Sequence, residues 1–139
     1  MVLMVQKEVA ERICAKPGDM SLLSVSVQYY ADPEIVALVS RTSFWPAPEV
    51  DSAVIKVINN KQRTINKEFD RIFFNIVKAG FAQRRKLLIK NLEPIVGKKN
   101  KSALLGVIEK LGFDKNVRAQ ELSVEQWIEI TKEITKLRN

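Results

Sequence analysis

The chain has 139 residues, 46% of them apolar and 28% charged, with 23 lysines and arginines against 16 aspartates and glutamates and a formal charge of +7. That is enough chain for one substantial core or two small ones, and it is too apolar to be disordered. The absence of histidine, with a single cysteine at Cys14, excludes an internal disulfide and nearly excludes metal sites and histidine-based general catalysis.

No apolar run approaches the length of a membrane span, and residues 1–5 pass directly into Gln6-Lys7-Glu8, too short and wrongly flanked for a signal peptide. The expectation is a cytoplasmic protein with neither membrane nor metal partner. The charge is unevenly placed. Residues 1–58 hold five basic and seven acidic groups, residues 59–101 hold twelve and three, and residues 102–139 hold six of each. A block as basic as the middle third argues for a polyanionic partner.

In chain order, residues 2–6 read as a strand with the composition of a buried parallel strand, and residues 7–15 as a short helix stopped by Pro17-Gly18. Cys14 in that helix reads as an inert buried thiol. Residues 21–30 fit both periodicities: Leu23, Val25, Val27 and Tyr29 alternate, while Leu22, Val25 and Tyr29 also fit a helix. Residues 34–39 read as a strand, 40–50 as a proline-punctuated loop and 52–58 as a strand. The polar stretch 59–65 reads as a linker. Asn66 caps a helix whose Phe69, Ile72, Phe73, Ile76 and Val77 form an apolar stripe, with Lys67, Arg71 and Lys78 clustered opposite at about 100° per residue. A second helix is expected over residues 81–92, carrying Arg84, Arg85, Lys86 and Lys90 and stopping near Pro94 and Gly97. A basic loop follows at Lys98, Lys99 and Lys101, then a third helix over 101–111 stopped by Gly112. The last helix opens on the capping-box spacing Ser123-Val124-Glu125-Gln126 and turns Trp127, Ile130, Ile134 and Leu137 inward.

The loop carries the strongest local signal. In Phe44-Trp45-Pro46-Ala47-Pro48-Glu49-Val50-Asp51-Ser52-Ala53-Val54, two prolines fix φ and present an aromatic pair with little freedom. Asp51 and Ser52 invite an acid and nucleophile reading, but without histidine no triad is possible, and a turn-capping role is expected. The loop is similar to the one before the last sheet strand of the ribosomal RNA adenine dimethyltransferases. Residues 4–12 (Met-Val-Gln-Lys-Glu-Val-Ala-Glu-Arg), residues 23–30 (Leu-Ser-Val-Ser-Val-Gln-Tyr-Tyr) and residues 81–86 (Phe-Ala-Gln-Arg-Arg-Lys) resemble three further blocks of that family, in the family's order.

The resemblance implies an α+β chain. A three-strand edge remnant of a Rossmann-like methyltransferase sheet (1–58) would be joined by the linker 59–65 to a small all-α RNA-binding domain (66–139). It also implies that the helical alternative holds over 21–30. The family's Gly-rich turn for S-adenosylmethionine and its Asn-Leu-Pro-Tyr motif for the target amine have no match here. The chain is therefore expected to be the C-terminal part of the enzyme, inactive alone and binding no cofactor, while the full-length parent uses S-adenosylmethionine. Carried over by position, Phe44 lies against the target adenine, with Trp45, Pro46 and Pro48 completing the target-base site. Gln6 and Lys7, at the end of the first strand, are candidates for the RNA entrance.

Lys67, Arg71, Lys78, Arg84, Arg85, Lys86, Lys90, Lys98, Lys99 and Lys101 are the candidate contacts to ribosomal RNA in the small subunit. Helical spacing sets Arg85 in line with Phe81, Leu88 and Leu92, so it is expected to be partly buried beside an acid. The basic helical domain favours the branch that modifies adjacent adenosines near the 3′ end of small-subunit RNA over the resistance-type branch acting on large-subunit RNA. The competing class is a non-enzymatic RNA-binding or ribosome-assembly module. A monomer is expected, with a bare sheet edge that could self-associate.

Overall fold

The computed structural model describes residues 1–60 and 66–138. Its elements follow the order β1 (Val2–Gln6), α1 (Lys7–Ile13), α2 (Leu22–Tyr30), β2 (Ala31–Val39), β3 (Ser52–Asn59), α3 (Lys67–Gly80), α4 (Leu88–Val96), α5 (Lys101–Lys110) and α6 (Val124–Arg138). The helical alternative holds for α2, where Ser21 and Ser24 form a reciprocal capping box. Gln28 then donates from Nε2 to the carbonyls of Ile13 (2.8 Å) and Ala15 (2.9 Å), tying the end of α1 to α2.

β3 is the central strand, and β1 and β2 each pair with it antiparallel. The run expected to lie in a parallel sheet therefore pairs antiparallel, and Val2, Leu3 and Met4 are exposed. Alternation along β3 sends Ala53, Ile55 and Val57 into a small core with Ala10, Ile13 and Ala31, while Lys56 and Ile58 face outward. The two outer strands differ in their protection. β2 carries Asp32, Pro33, Glu34 and a bulge between Ile35 and Ala37, all of which discourage further pairing, whereas Val2 to Val5 of β1 bear none of these.

A larger core holds Phe73, Ile76, Val77, Leu88, Leu92, Leu104, Ile108, Trp127, Ile130 and Ile134 from α3 to α6, and it also takes in Val25 and Tyr29 from α2 and Met20 just before it. Tyr29 stacks on Phe73 (4.2 Å) and donates its hydroxyl to Asp70 (2.5 Å). α2 thus borders both cores, with Val25 and Tyr29 in the larger one and Leu23 and Val27 packed against the smaller. Most of the expected linker, 61–65, falls outside the described residues. Asn60 N–H donates to the Tyr30 carbonyl (2.9 Å).

Asn66 caps α3 as the sequence predicts, accepting from the backbone N–H groups of Glu68 and Phe69. The second expected helix is displaced: residues 81–87 form a turn and α4 starts at Leu88. It also continues through Pro94 to Val96. Proline removes one helical hydrogen bond, here the one to the Lys90 carbonyl, and both Pro94 and Lys90 are exposed residues. Gly97 with φ 81° ends α4, and Gly112 with φ 88° follows α5, both conformations that favour glycine.

Two glycines should respond to alanine with opposite signs. A Cβ on Gly80 would run into the buried Trp127 ring, whereas one on Gly106, within α5, meets nothing. Gly80→Ala should cost about 1–3 kcal/mol by overpacking, and Gly106→Ala should add roughly 0.5–1 kcal/mol from helix propensity. Urea denaturation of both variants checks the signs.

Candidate nucleic-acid interface

The loop between β2 and β3 starts as a 3-10 turn, Arg41–Ser43, whose entry is capped by the Ser40 hydroxyl. Its base is closed by the Asp51 carboxylate, which accepts the Arg41 N–H at 2.8 Å, while the Asp51 carbonyl accepts the Lys7 N–H at 3.0 Å. Asp51 thus caps a turn, as its sequence context predicts. Phe44 is half-buried, and Trp45, Pro46 and Pro48 are exposed, Trp45 by 96%. The pocket beside the loop base has Lys7 and Arg41 facing Glu8, Glu11, Glu49 and Asp51. Lys7 is within 4.0 Å of Glu11. Four carboxylates against two cations make this pocket unfavourable to phosphate.

A larger cleft of about 630 Å³ lies between α1, the start of α2, the 81–87 turn and the segment before α6. Arg12, Arg84 and Lys86 line it, with Glu8 and Asp19 as the acids. Arg84 and Lys86 are among the contacts expected from the sequence, and Arg12 is not. Arg12 lies on α1, within the net acidic residues 1–58, so charge density does not mark it, and the family-like block 4–12 includes it without assigning it a role.

One side chain shapes the basic turn. The buried Asn91 amide donates from Nδ2 to the carbonyls of Gly80 (2.9 Å) and Gln83 (3.0 Å), and the Leu88 N–H goes to the Val117 carbonyl (2.9 Å). These long-range bonds replace the helical ones that an 81–92 helix would make. They also release Arg85, which is exposed and, among the described residues, paired with no acid; the expected partial burial fails because it assumed a helix.

The other expected contacts are spread more widely. Lys67, Arg71 and Lys78 are exposed on the outer face of α3, Lys90 on α4, and Lys98 and Lys99 on the turn after Gly97. Arg71 shares a separate small pocket with Asn75 and Arg138. Lys101 is half-buried, 3.9 Å from Glu93. Phe74, next to the basic face of α3, packs against Tyr29 and Tyr30. Among the described residues no group of three or more acids and cysteines could hold a metal ion, and no helix is long and apolar enough to cross a membrane.

The family model for ribosomal RNA adenine dimethylase matches residues 1–136. The ribosomal RNA small subunit methyltransferase A of Geobacillus kaustophilus (strain HTA426) is 40% identical over 141 residues, covering 99% of this chain and 48% of the relative. That of Dehalococcoides mccartyi (strain CBDB1) is 44% identical over 128 residues, covering 91% and 43%. The chain spans about half the length of these curated relatives. A crystal structure of a dimethyladenosine transferase from Plasmodium falciparum matches with a TM-score of 0.79 at 27% identity, covering 99% of this chain and 57% of that one. The 23S rRNA methyltransferase ErmE matches with 0.75 at 19% identity, over 96% and 54%, a likeness of fold alone.

Two tests follow from the geometry. Asn91→Ala should leave the buried Gly80 carbonyl without its Asn91 donor and the Gln83 carbonyl with only the Lys86 N–H, lower stability by about 1–3 kcal/mol, and speed hydrogen exchange at the Lys86 amide. Burial, and then the nearby Glu34 carboxylate, push the Cys14 thiol above its ordinary range. A raised pKa means less thiolate at any given pH, so iodoacetamide should alkylate Cys14 more slowly at neutral pH than it alkylates an unstructured cysteine peptide.

Proposed function

The chain belongs to the ribosomal RNA adenine dimethylase family, and on that premise we propose that it supplies the target-base loop and the RNA-binding surface of an S-adenosylmethionine-dependent adenine N6-dimethyltransferase acting on adjacent adenosines near the 3′ end of small-subunit RNA. The observation that carries this reading is the pairing of a stiff aromatic loop with a basic cleft. Glu8 lines both the loop-base pocket and the cleft. An RNA strand whose phosphates lie by Arg12, Arg84 and Lys86 could therefore run on to the loop.

The described residues do not fit S-adenosylmethionine itself. The β1–α1 turn runs Gln6-Lys7-Glu8 without glycine, and the positive-φ glycines 18, 97 and 112 sit in three separate turns. We infer that the cofactor is held by the remaining half of the full-length enzyme and that this chain alone transfers no methyl group. Its own part is positional. Phe44 offers an extruded adenine a π-face, which holds the exocyclic amine in line and favours the positive charge that grows on nitrogen during transfer. The cleft holds the backbone by charge-assisted hydrogen bonds, Arg84 and Arg12 as planar forks and Lys86 as a point charge. Arg85, Lys90, Lys98 and Lys99, all exposed, extend the positive surface around it.

A second reading, an RNA-binding or ribosome-assembly module without catalysis, draws on the fact that the described residues include a basic cleft but no cofactor cradle. Two variants of an enzyme that joins this chain to the cofactor-binding half of a relative separate the readings. Phe44→Ala should slow single-turnover methylation by about five- to 150-fold, since a base–aromatic stack is worth about 1–3 kcal/mol, while RNA affinity barely changes. Alanine at Arg12, Arg84 and Lys86 should instead weaken binding and flatten its log-log salt dependence by roughly 0.7–0.9 per lost phosphate contact. Methyl transfer by this chain alone, or a normal rate in the Phe44 variant, would overturn the proposal.

A further inference from the structure

We propose that Trp45 is a second stacking platform, which takes the RNA base next to the one on Phe44 and so splays two neighbouring nucleotides across the loop. This rests on the RNA-presenting role given to the loop above. Phe44 has an extended backbone, φ −114° and ψ 152°, and consecutive side chains on extended backbone point to opposite sides. Their burial agrees: Phe44 is half-buried, while Trp45 is 96% exposed. A single base cannot lie on both rings.

Trp45 has no ring contact and no hydrogen-bond partner among the described residues. An indole this exposed is unusual on a folded surface, where aromatic rings bury most of their area and the indole N–H seeks an acceptor. The backbone that carries the ring is constrained. Pro46 and Pro48 fix their φ angles, and the Asp51 carboxylate closes the loop base on the Arg41 N–H, so little backbone freedom is lost when a ligand covers the ring.

The surroundings select a base as the occupant. Around the loop base Glu8, Glu11, Glu49 and Asp51 outnumber Lys7 and Arg41 and disfavour phosphate, whereas in the neighbouring cleft Arg12, Arg84 and Lys86 outnumber Glu8 and Asp19 and favour it. A strand running from cleft to loop keeps its phosphates at the first and offers its bases at the second. With one base on each side of the loop, the pair is pried apart, which is the unstacking that base extrusion requires.

The chain has two tryptophans, and Trp127 is fully buried, so solvent-exposed emission reports Trp45. The test is titration with end-labelled oligoadenylate and with a ribose-phosphate strand of equal length lacking bases, following label anisotropy for binding and tryptophan emission for stacking. Oligoadenylate should quench the exposed emission and the base-free strand should bind without doing so. Trp45→Phe should keep the affinity for oligoadenylate. Trp45→Leu should weaken it about five- to 150-fold and leave the base-free strand unaffected.

Oligoadenylate binding with unchanged emission and an unimpaired leucine variant would overturn the proposal while leaving the RNA interface intact. Equal losses for both strands in the leucine variant would also overturn it, because the ring would then act on loop shape or backbone. If neither strand binds, the RNA reading of the interface fails, and the proposal with it. Emission already shielded from acrylamide, before any RNA is added, once the chain is joined to a relative's cofactor-binding half would assign the ring to a protein contact instead and overturn the proposal.

Discussion

The amide of Asn91 decides the shape of the basic surface. Its two donors are used on carbonyls at the end of α3 and in the following turn, the first bond buried and the second partly so. A buried amide that lost either partner would keep the desolvation cost without the bond, so the 81–87 turn is over-determined rather than loosely draped. Gly80 makes the arrangement possible from the other side. Lacking a Cβ, it lets the Trp127 ring close against the backbone at the point where α3 hands over to the turn. Arg84 and Lys86 are therefore placed by packing and hydrogen bonds that involve neither of their side chains.

The same logic joins the two ends of the candidate interface. Arg12 stands on α1, beside the sheet, and Arg84 and Lys86 stand on the helical side, so their common cleft exists only while the two parts hold a fixed relation. That relation is set by α2. Gln28 fastens it to the end of α1, and Val25 and Tyr29 insert into the core built by α3 to α6. The Tyr29 hydroxyl is satisfied by Asp70 as its ring stacks on Phe73, so the contact buries a large ring while the hydroxyl keeps a partner. Domain boundaries drawn at the polar stretch after β3 describe the chain's composition; the apolar contacts cross that boundary through α2.

What was legible in the sequence follows the range of the forces involved. Elements set by local pattern were read closely: the Asn66 cap, the apolar stripe of α3, the Ser123 capping box and the glycine stops at 97 and 112 are all decided within a few residues. α2 needed the family resemblance, because its residues satisfy both periodicities. The helix placed over 81–92 failed because its pattern is a valid helical one that is overridden by bonds from Asn91 and Val117, residues whose role no local window reveals. Arg85 was misplaced as a direct consequence. Pro94 reads as a stop in the sequence, but α4 continues through it at an exposed position, and exposure is decided by the fold. Asp51, by contrast, was read correctly as a cap, since its neighbours already formed a turn.

The charge segregation noted in the sequence acquires a direction once it is folded. An interface that only bound a polyanion would gain from positive charge everywhere, yet the loop-base pocket sets four carboxylates against two cations while the adjoining cleft sets three cations against two acids. Coulomb repulsion at the loop and attraction at the cleft act on phosphates and leave neutral bases almost untouched, so the field sorts the two parts of a nucleotide. Salt should weaken the sorting, because exposed charges are screened over about 8–10 Å in physiological buffer. Stacking on the loop aromatics, which depends on contact and not on net charge, should survive that screening. The two contributions are separable for this reason: the cleft governs how tightly a strand is held, and the loop governs which part of it is presented.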